Sequence, residues 1–96
     1  MADEVRISHV RLTGAGPGDR ARGLLGYVKF TLNATVQVDG VTLRRSAAGR
    51  LVLSFPARRD VSGWEHPFVR PLDDATRVAI EQQVFAALGL AEAEQP

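Results

Sequence analysis

The sequence predicts an α+β fold: a small antiparallel β-sheet of four to five strands with a C-terminal helix packed on one face. Three observations carry this reading. Short runs rich in Val, Leu, Thr and Phe, broken by Gly, Asn, Asp and Pro, recur through residues 5–55, as in strands linked by tight turns. Ile80, Val84 and Leu88, with Phe85 beside them, then recur at i, i+4, i+8, the spacing of one helical packing stripe. The chain has 96 residues, and a domain this short buries only ~60–65% of the surface its unfolded chain exposes, enough for one sheet and one helix. Residues 1–96 read as a single domain, with a core at about 5–89 and a frayed acidic tail at 90–96.

Each element follows in order. Residues 5–12 mix β-branched residues with Arg and Ser and predict a first strand. It ends at Thr13-Gly14-Ala15-Gly16-Pro17-Gly18-Asp19, where three glycines and a proline predict a flexible hairpin loop. A phosphate-cradling loop needs a helix straight after its glycines, and here a strand is expected to follow. That second strand, residues 23–32, is the clearest. Alternation puts Leu24, Val28, Phe30 and Leu32 on one face and Leu25, Tyr27, Lys29 and Thr31 on the other. Asn33 is a turn residue, residues 34–38 resume the β pattern, and Asp39-Gly40 signals a tight hairpin or a bulge.

Residues 41–45 continue as strand, with Val41, Leu43 and Arg45 on one face and Thr42 and Arg44 on the other. Ser46-Ala47-Ala48-Gly49 makes a turn, and the apolar strand 51–55 is stopped by Pro56. Residues 57–71 read as irregular, punctuated by Gly63, Pro67 and Pro71, with a short strand at Phe68-Val69. Asp73 is a good N-cap, and Asp73 with Asp74 complements the positive end of the helix dipole. Gly89 is a natural C′ residue. One helix covers one face of a sheet, yet Leu25 and Tyr27 lie on the other. That leftover surface predicts a partner, most simply a second copy of the chain, unless residues 57–71 with Trp64 and Phe68 fold over it.

Composition narrows the function. Cysteine is absent, which excludes disulfides, a thiol nucleophile and thiolate metal ligands. The acidic start Met1-Ala2-Asp3-Glu4 lacks the basic and apolar regions of a secretory signal, and the apolar runs are far too short to span a bilayer. The expectation is a cytoplasmic protein without membrane insertion. His9 and His66 stand far apart with no cysteine to join them, so neither a metal nor another cofactor is expected. His66-Pro67 reads as a rigid turn. No nucleophile, base and oxyanion donor converge in the sequence, so no catalytic residue is assigned and an enzyme is not expected.

Charge is unevenly spread. Residues 5–70 carry eleven Arg or Lys against four acids, whereas residues 71–96 carry Arg77 against five acids. A basic body with an acidic tail suits an anionic partner.

Several segments, in order, resemble the SpoVG family of small bacterial stage V sporulation G, or septation, proteins. Ile7-Ser8-His9-Val10-Arg11-Leu12 is similar to the family's opening strand. Leu51-Val52-Leu53-Ser54-Phe55-Pro56-Ala57-Arg58-Arg59 resembles its apolar strand running into a proline, a small residue and a basic pair. Trp64-Glu65-His66-Pro67-Phe68 matches a segment centred on His-Pro, and the helix expected at 73–88 falls where the family places its own. The resemblance covers roughly residues 5–89. Here Asp60 follows the basic pair, and the helix end from Gln82 to Leu88 is uncharged where the family's tends to be basic. The resemblance implies a cytoplasmic homodimer, linked to septum formation and sporulation control, that binds DNA and RNA with little site selectivity.

The candidate nucleic-acid contacts are Arg58, Arg59, Arg50, Arg45 and Trp64. Arg58 and Arg59 leave a strand on the backbone stiffened by Pro56, and guanidinium groups present forked donors matched to phosphate oxygens. Arg44, Arg45 and Arg50 are near in the chain, although alternation lets only one of Arg44 and Arg45 join a flat patch. Arg20 and Arg22 are further candidates for backbone contact. Trp64 is either a base-stacking platform beside the arginines or, as burial statistics favour for a lone Trp, a core residue. The competing reading is a non-catalytic interaction module in septum formation that docks a division protein and binds no nucleic acid.

Overall fold

The computed structural model describes residues 4–90, so the tail expected at 90–96 falls almost wholly outside the described residues. Four strands, β1 (Ile7–Gly14), β2 (Leu24–Leu32), β3 (Val36–Arg45) and β4 (Leu51–Ser54), form one antiparallel sheet in the order β1-β2-β3-β4. Two short strands, β5 (Ala57–Arg59) and β6 (Glu65–Pro67), pair with each other in a second sheet. Helix α1 (Pro17–Ala21) joins β1 to β2, and α2 (Asp74–Ala87) ends the fold. The α+β class is as the sequence predicts.

The β2–β3 connection turns at Asn33 (φ 51°) and Ala34 (φ 56°), with the Thr35 amide donating to the Leu32 carbonyl at 3.0 Å. Two positive φ values match the right-handed twist of the flanking strands, and Asn tolerates that region where Ala is strained. Strand β3 runs unbroken through Asp39-Gly40. Of the two readings of that pair, the structure takes the bulge: the β2–β3 register shifts between Val28/Val41 and Phe30/Val38. Gly26, on β2, faces β1 so closely that a Cβ there meets the Thr13 carbonyl oxygen at 2.5 Å and the Leu12 side chain at 2.8 Å. A glycine is needed there for the two strands to approach.

The core lies between the sheet and α2. Val28, Phe30, Val38, Val41, Leu43, Leu51 and Leu53 from the sheet pack on Ile80, Val84 and Phe85 from the helix, each such burial stabilising by ~1.5–3 kcal/mol. Asp73 caps the helix, its Oδ1 accepting from the Thr76 amide at 2.8 Å, and Thr76, its side chain first and its amide second, holds the Asp73 carboxyl below its ordinary value. Polar side chains of α2 also reach both edges of the sheet. Gln83 accepts from the Ile7 amide and donates to the Val5 carbonyl, both at 2.8 Å. Glu81, 8% exposed, accepts from the Leu53 amide at 3.1 Å on the outer edge of β4 and from Arg77 at 2.7 Å. Arg77 is shared with Asp74, and the two carboxylates, Asp74 first, raise its pKa.

Three expectations need correction. The segment after the β1 glycines is not a flexible loop throughout. Gly16 stands at the N-cap and Pro17 opens a one-turn helix, α1, whose Arg20 amide bonds back to the Gly16 carbonyl at 2.9 Å. Pro pre-sets the helical φ, and that suffices for one turn. Residues 57–71 are not irregular throughout, nor is there a strand at Phe68-Val69: the strands are β5 and β6, pairing Ala57 with Pro67, Arg58 with His66 and Arg59 with Glu65. Finally, the faces of β2 switch at one end. A bulge pairs Leu24 with Arg44 and Gly26 with Leu43, so Leu25 packs against the core and Leu24 lies in the row of Arg44, opposite to strict alternation.

Candidate nucleic-acid interface

The β5–β6 hairpin is an exposed arm: all six of its strand residues are exposed. Its loop is built on Asp60. One carboxylate oxygen accepts from the amides of Ser62 (2.9 Å) and Trp64 (3.0 Å), and the other meets His66 Nε2 at 2.7 Å. A carboxylate only accepts, so His66 donates there. The His66 bond first, and then the backbone amides of the loop, hold the Asp60 carboxyl below its ordinary value. Asp is suited to this because its short side chain reaches the amides two and four residues on. The consequence is a fixed loop with Trp64 presented on it, and Trp64 is 72% exposed. The core reading of Trp64 is therefore wrong. The ring stands in an arm made of three-residue strands, with most of its surface in solvent.

Arg58 pairs with His66 across the hairpin and Arg59 with Glu65, so the two arginines take opposite faces. Alternation continued one residue back from β6 assigns Trp64 to the His66 side, with Arg58. Arg58 has no ion pair or side-chain hydrogen bond among the described residues. Arg59 donates to the Gly63 carbonyl at 3.2 Å and lies 3.5 Å from Glu65; both partners are exposed, so this pair contributes little to stability.

Arg45 and Arg50 do not join them. They flank the β3–β4 turn, where Arg45 donates to the Gly49 carbonyl at 3.0 Å and the Arg50 amide bonds Ser46 Oγ at 3.2 Å. The four residues of β4 separate that turn from the arm, ~13 Å at the rise of a strand. Arg45 instead lines an open groove with Arg20 and Arg22 from around α1, where Asp19 pairs with Arg22 at 3.3 Å. The sequence reading brings five candidates together that the structure divides between the arm (Arg58, Arg59, Trp64) and the far turn (Arg45, Arg50). Asp60 was the residue that the sequence reading missed, and the Asp60-Val61-Ser62-Gly63 run is the turn signal that reveals it.

Among the described residues no group of three or more His, Asp or Glu is placed to hold a metal ion, and no helix is long and apolar enough to cross a membrane. Fold and surface together define a small α+β domain with an exposed arm that carries Trp64, Arg58 and Arg59. No protein-family model and no curated protein matches the chain.

Proposed function

We propose that this protein is a SpoVG-like regulator of division septation and sporulation, acting as a dimeric DNA- and RNA-binding protein without catalytic activity. The observation that carries the reading is Trp64, 72% exposed, its amide held by Asp60, in the same hairpin as Arg58 and Arg59. Bases stack on exposed aromatic rings and guanidinium groups take the phosphates between them. The contacts go mainly to the backbone, so binding is salt-sensitive and weakly selective for sequence. The ordered resemblance at residues 7–12, 51–59 and 64–68 supports the same assignment and supplies its biological setting.

A second reading rests on a specific observation. Val61, Trp64, Phe68 and Leu72 are all largely exposed, a set of apolar side chains suited to docking a division protein. Fluorescence anisotropy with short DNA and RNA at ~50 and ~200 mM salt separates the two readings. The nucleic-acid reading expects binding that weakens steeply with salt and drops in Arg58→Ala/Arg59→Ala. Absence of binding at the lower salt would leave the docking module as the function.

A further inference from the structure

On the face of the four-stranded sheet away from α2, Arg11, Thr13, Tyr27, Lys29 and Ser54 are exposed. The side chains of this face are set out in rows by the strand register. Thr13, Tyr27, Thr42 and Ser54 line up across β1, β2, β3 and β4. Arg11 stands directly opposite Lys29 in the next row, and Leu24, Arg44 and Val52 form the row on the other side. Adjacent rows on one face lie two residues apart, ~7 Å along the strands. Tyr27, on an inner strand of the sheet, is 46% exposed.

Two features of this face work against stability. Like charges directly opposite each other destabilise an antiparallel pair, and Arg11 and Lys29 are so placed with no acidic partner; neither they nor Arg44 enter an ion pair among the described residues. The one acid in the four strands, Asp39, is engaged by the Gln37 side chain (3.5 Å) and the Gly40 amide (2.9 Å). The second feature is how Arg11 reaches this face. The β1–β2 register slips between Ser8 and Arg11, at a bulge that holds His9 at φ 52°. Continued from Ser8↔Thr31 without the slip, Arg11 falls opposite Val28 on the core face and Val10 opposite Lys29. The bulge reverses this, sending Val10 to the core and Arg11 outward. A non-glycine residue in the left-handed region is itself costly. Packing accounts for the bulge, since it places Val10 rather than Arg11 in the core. It does not account for two like charges face to face on the open side, and a local rule broken without compensation marks a functional surface.

We propose that this open face is a binding platform for single-stranded nucleic acid, with Tyr27 stacking a base and Arg11, Lys29 and Arg44 contacting phosphates. It rests on the nucleic-acid reading above and adds a second surface to the arm. The charge decides the occupant. A second copy related by a two-fold axis would bring the cations of this face against themselves. An exposed strand offers phosphates to the cations and an unstacked base to the ring, whereas a duplex keeps its bases stacked inside. Thr13 and Thr42 stand on either side of Tyr27 in its row, with Ser54 beyond Thr42. The Thr42 hydroxyl donates to the Ser54 carbonyl at 3.5 Å and keeps its lone pairs as an acceptor for base edges.

The test is anisotropy of labelled oligo-dT, oligo-U and a DNA duplex with the intact protein, Tyr27→Ala, Tyr27→Phe, Arg11→Gln and Arg58→Ala/Arg59→Ala. Thermal melting of each variant is followed in parallel. Tyr27→Ala should weaken single-strand binding by ~5–100-fold, Tyr27→Phe should keep it, and Arg11→Gln should weaken binding while raising the melting temperature. If Arg58→Ala/Arg59→Ala weakens binding and the face variants leave it unchanged, the platform is refuted and the arm stands. If the intact protein binds none of the three probes, both fall. If the face variants alter sedimentation and not oligonucleotide affinity, a second copy covers the face and the platform is again refuted.

Discussion

The covered and open faces of this sheet come from the same strands and obey different rules. On the covered face Val28, Phe30, Val41 and Leu43 meet Val84 and Phe85 with almost no exposed surface, and each polar atom that intrudes is satisfied: Glu81 by the Leu53 amide and Arg77, Gln83 by Ile7 and Val5. On the open face Arg11 confronts Lys29 and Tyr27 stands half in solvent. The β5–β6 arm repeats the contrast, with Trp64 outward and its polar bonds spent on fixing a loop. The difference teaches where selection for folding ends. Packing explains the covered face and gives no reason for the Arg11–Lys29 opposition on the open face or for an exposed Trp64 on the arm.

That contrast is sharpest under truncation of a large aromatic. Phe85→Ala, at 1% exposure, should cost ~3–5 kcal/mol, read as a fall in the urea midpoint with unchanged slope. Glu81→Ala comes next. It leaves the Leu53 amide buried without an acceptor and releases Arg77, a loss of ~1–3 kcal/mol, whereas Glu81→Gln keeps an acceptor and should lose less. Trp64→Ala should move stability by no more than ~0.5 kcal/mol while abolishing the arm's stacking contact. A destabilisation by Trp64→Ala as large as that of Phe85→Ala would erase the distinction.

The smallest expected effect is on the arm's loop in acid. The Asp60 carboxyl titrates below its ordinary value of 3.8 in the folded protein. Its bonds therefore favour the folded loop above that value and are lost as pH falls through the lowered one. Below pH 3.8 the amide resonances of Ser62 and Trp64 should shift while those of β2, which holds no acid, stay in place. A midpoint above 3.8 would contradict the bonding described for Asp60.

Much of the covered face was legible in advance. Asp73, the stripe of Ile80, Val84 and Phe85, and the turn at Asn33 are local signals read from neighbours a few residues apart. What was not legible depends on pairing. The bulges at His9 and beside Leu25 decide which face Arg11 and Leu24 occupy, and register is settled between strands rather than within one. The β5–β6 strands are too short, at three residues each, to show alternation, so the arm read as irregular and its Trp as core. For the same reason Arg45 and Arg50 seemed near Arg58 and Arg59 in the chain and lie beyond opposite ends of β4 in space.

Trp64 is the only tryptophan in the chain, so its own fluorescence tests most directly whether the arm is a free nucleic-acid surface. The account predicts the red-shifted emission of a water-exposed indole in the free protein. Stepwise oligo-dT should quench it, and the quenching should reverse when salt is raised. Emission already blue-shifted at the lowest protein concentration, or unchanged at saturating oligonucleotide, would contradict it.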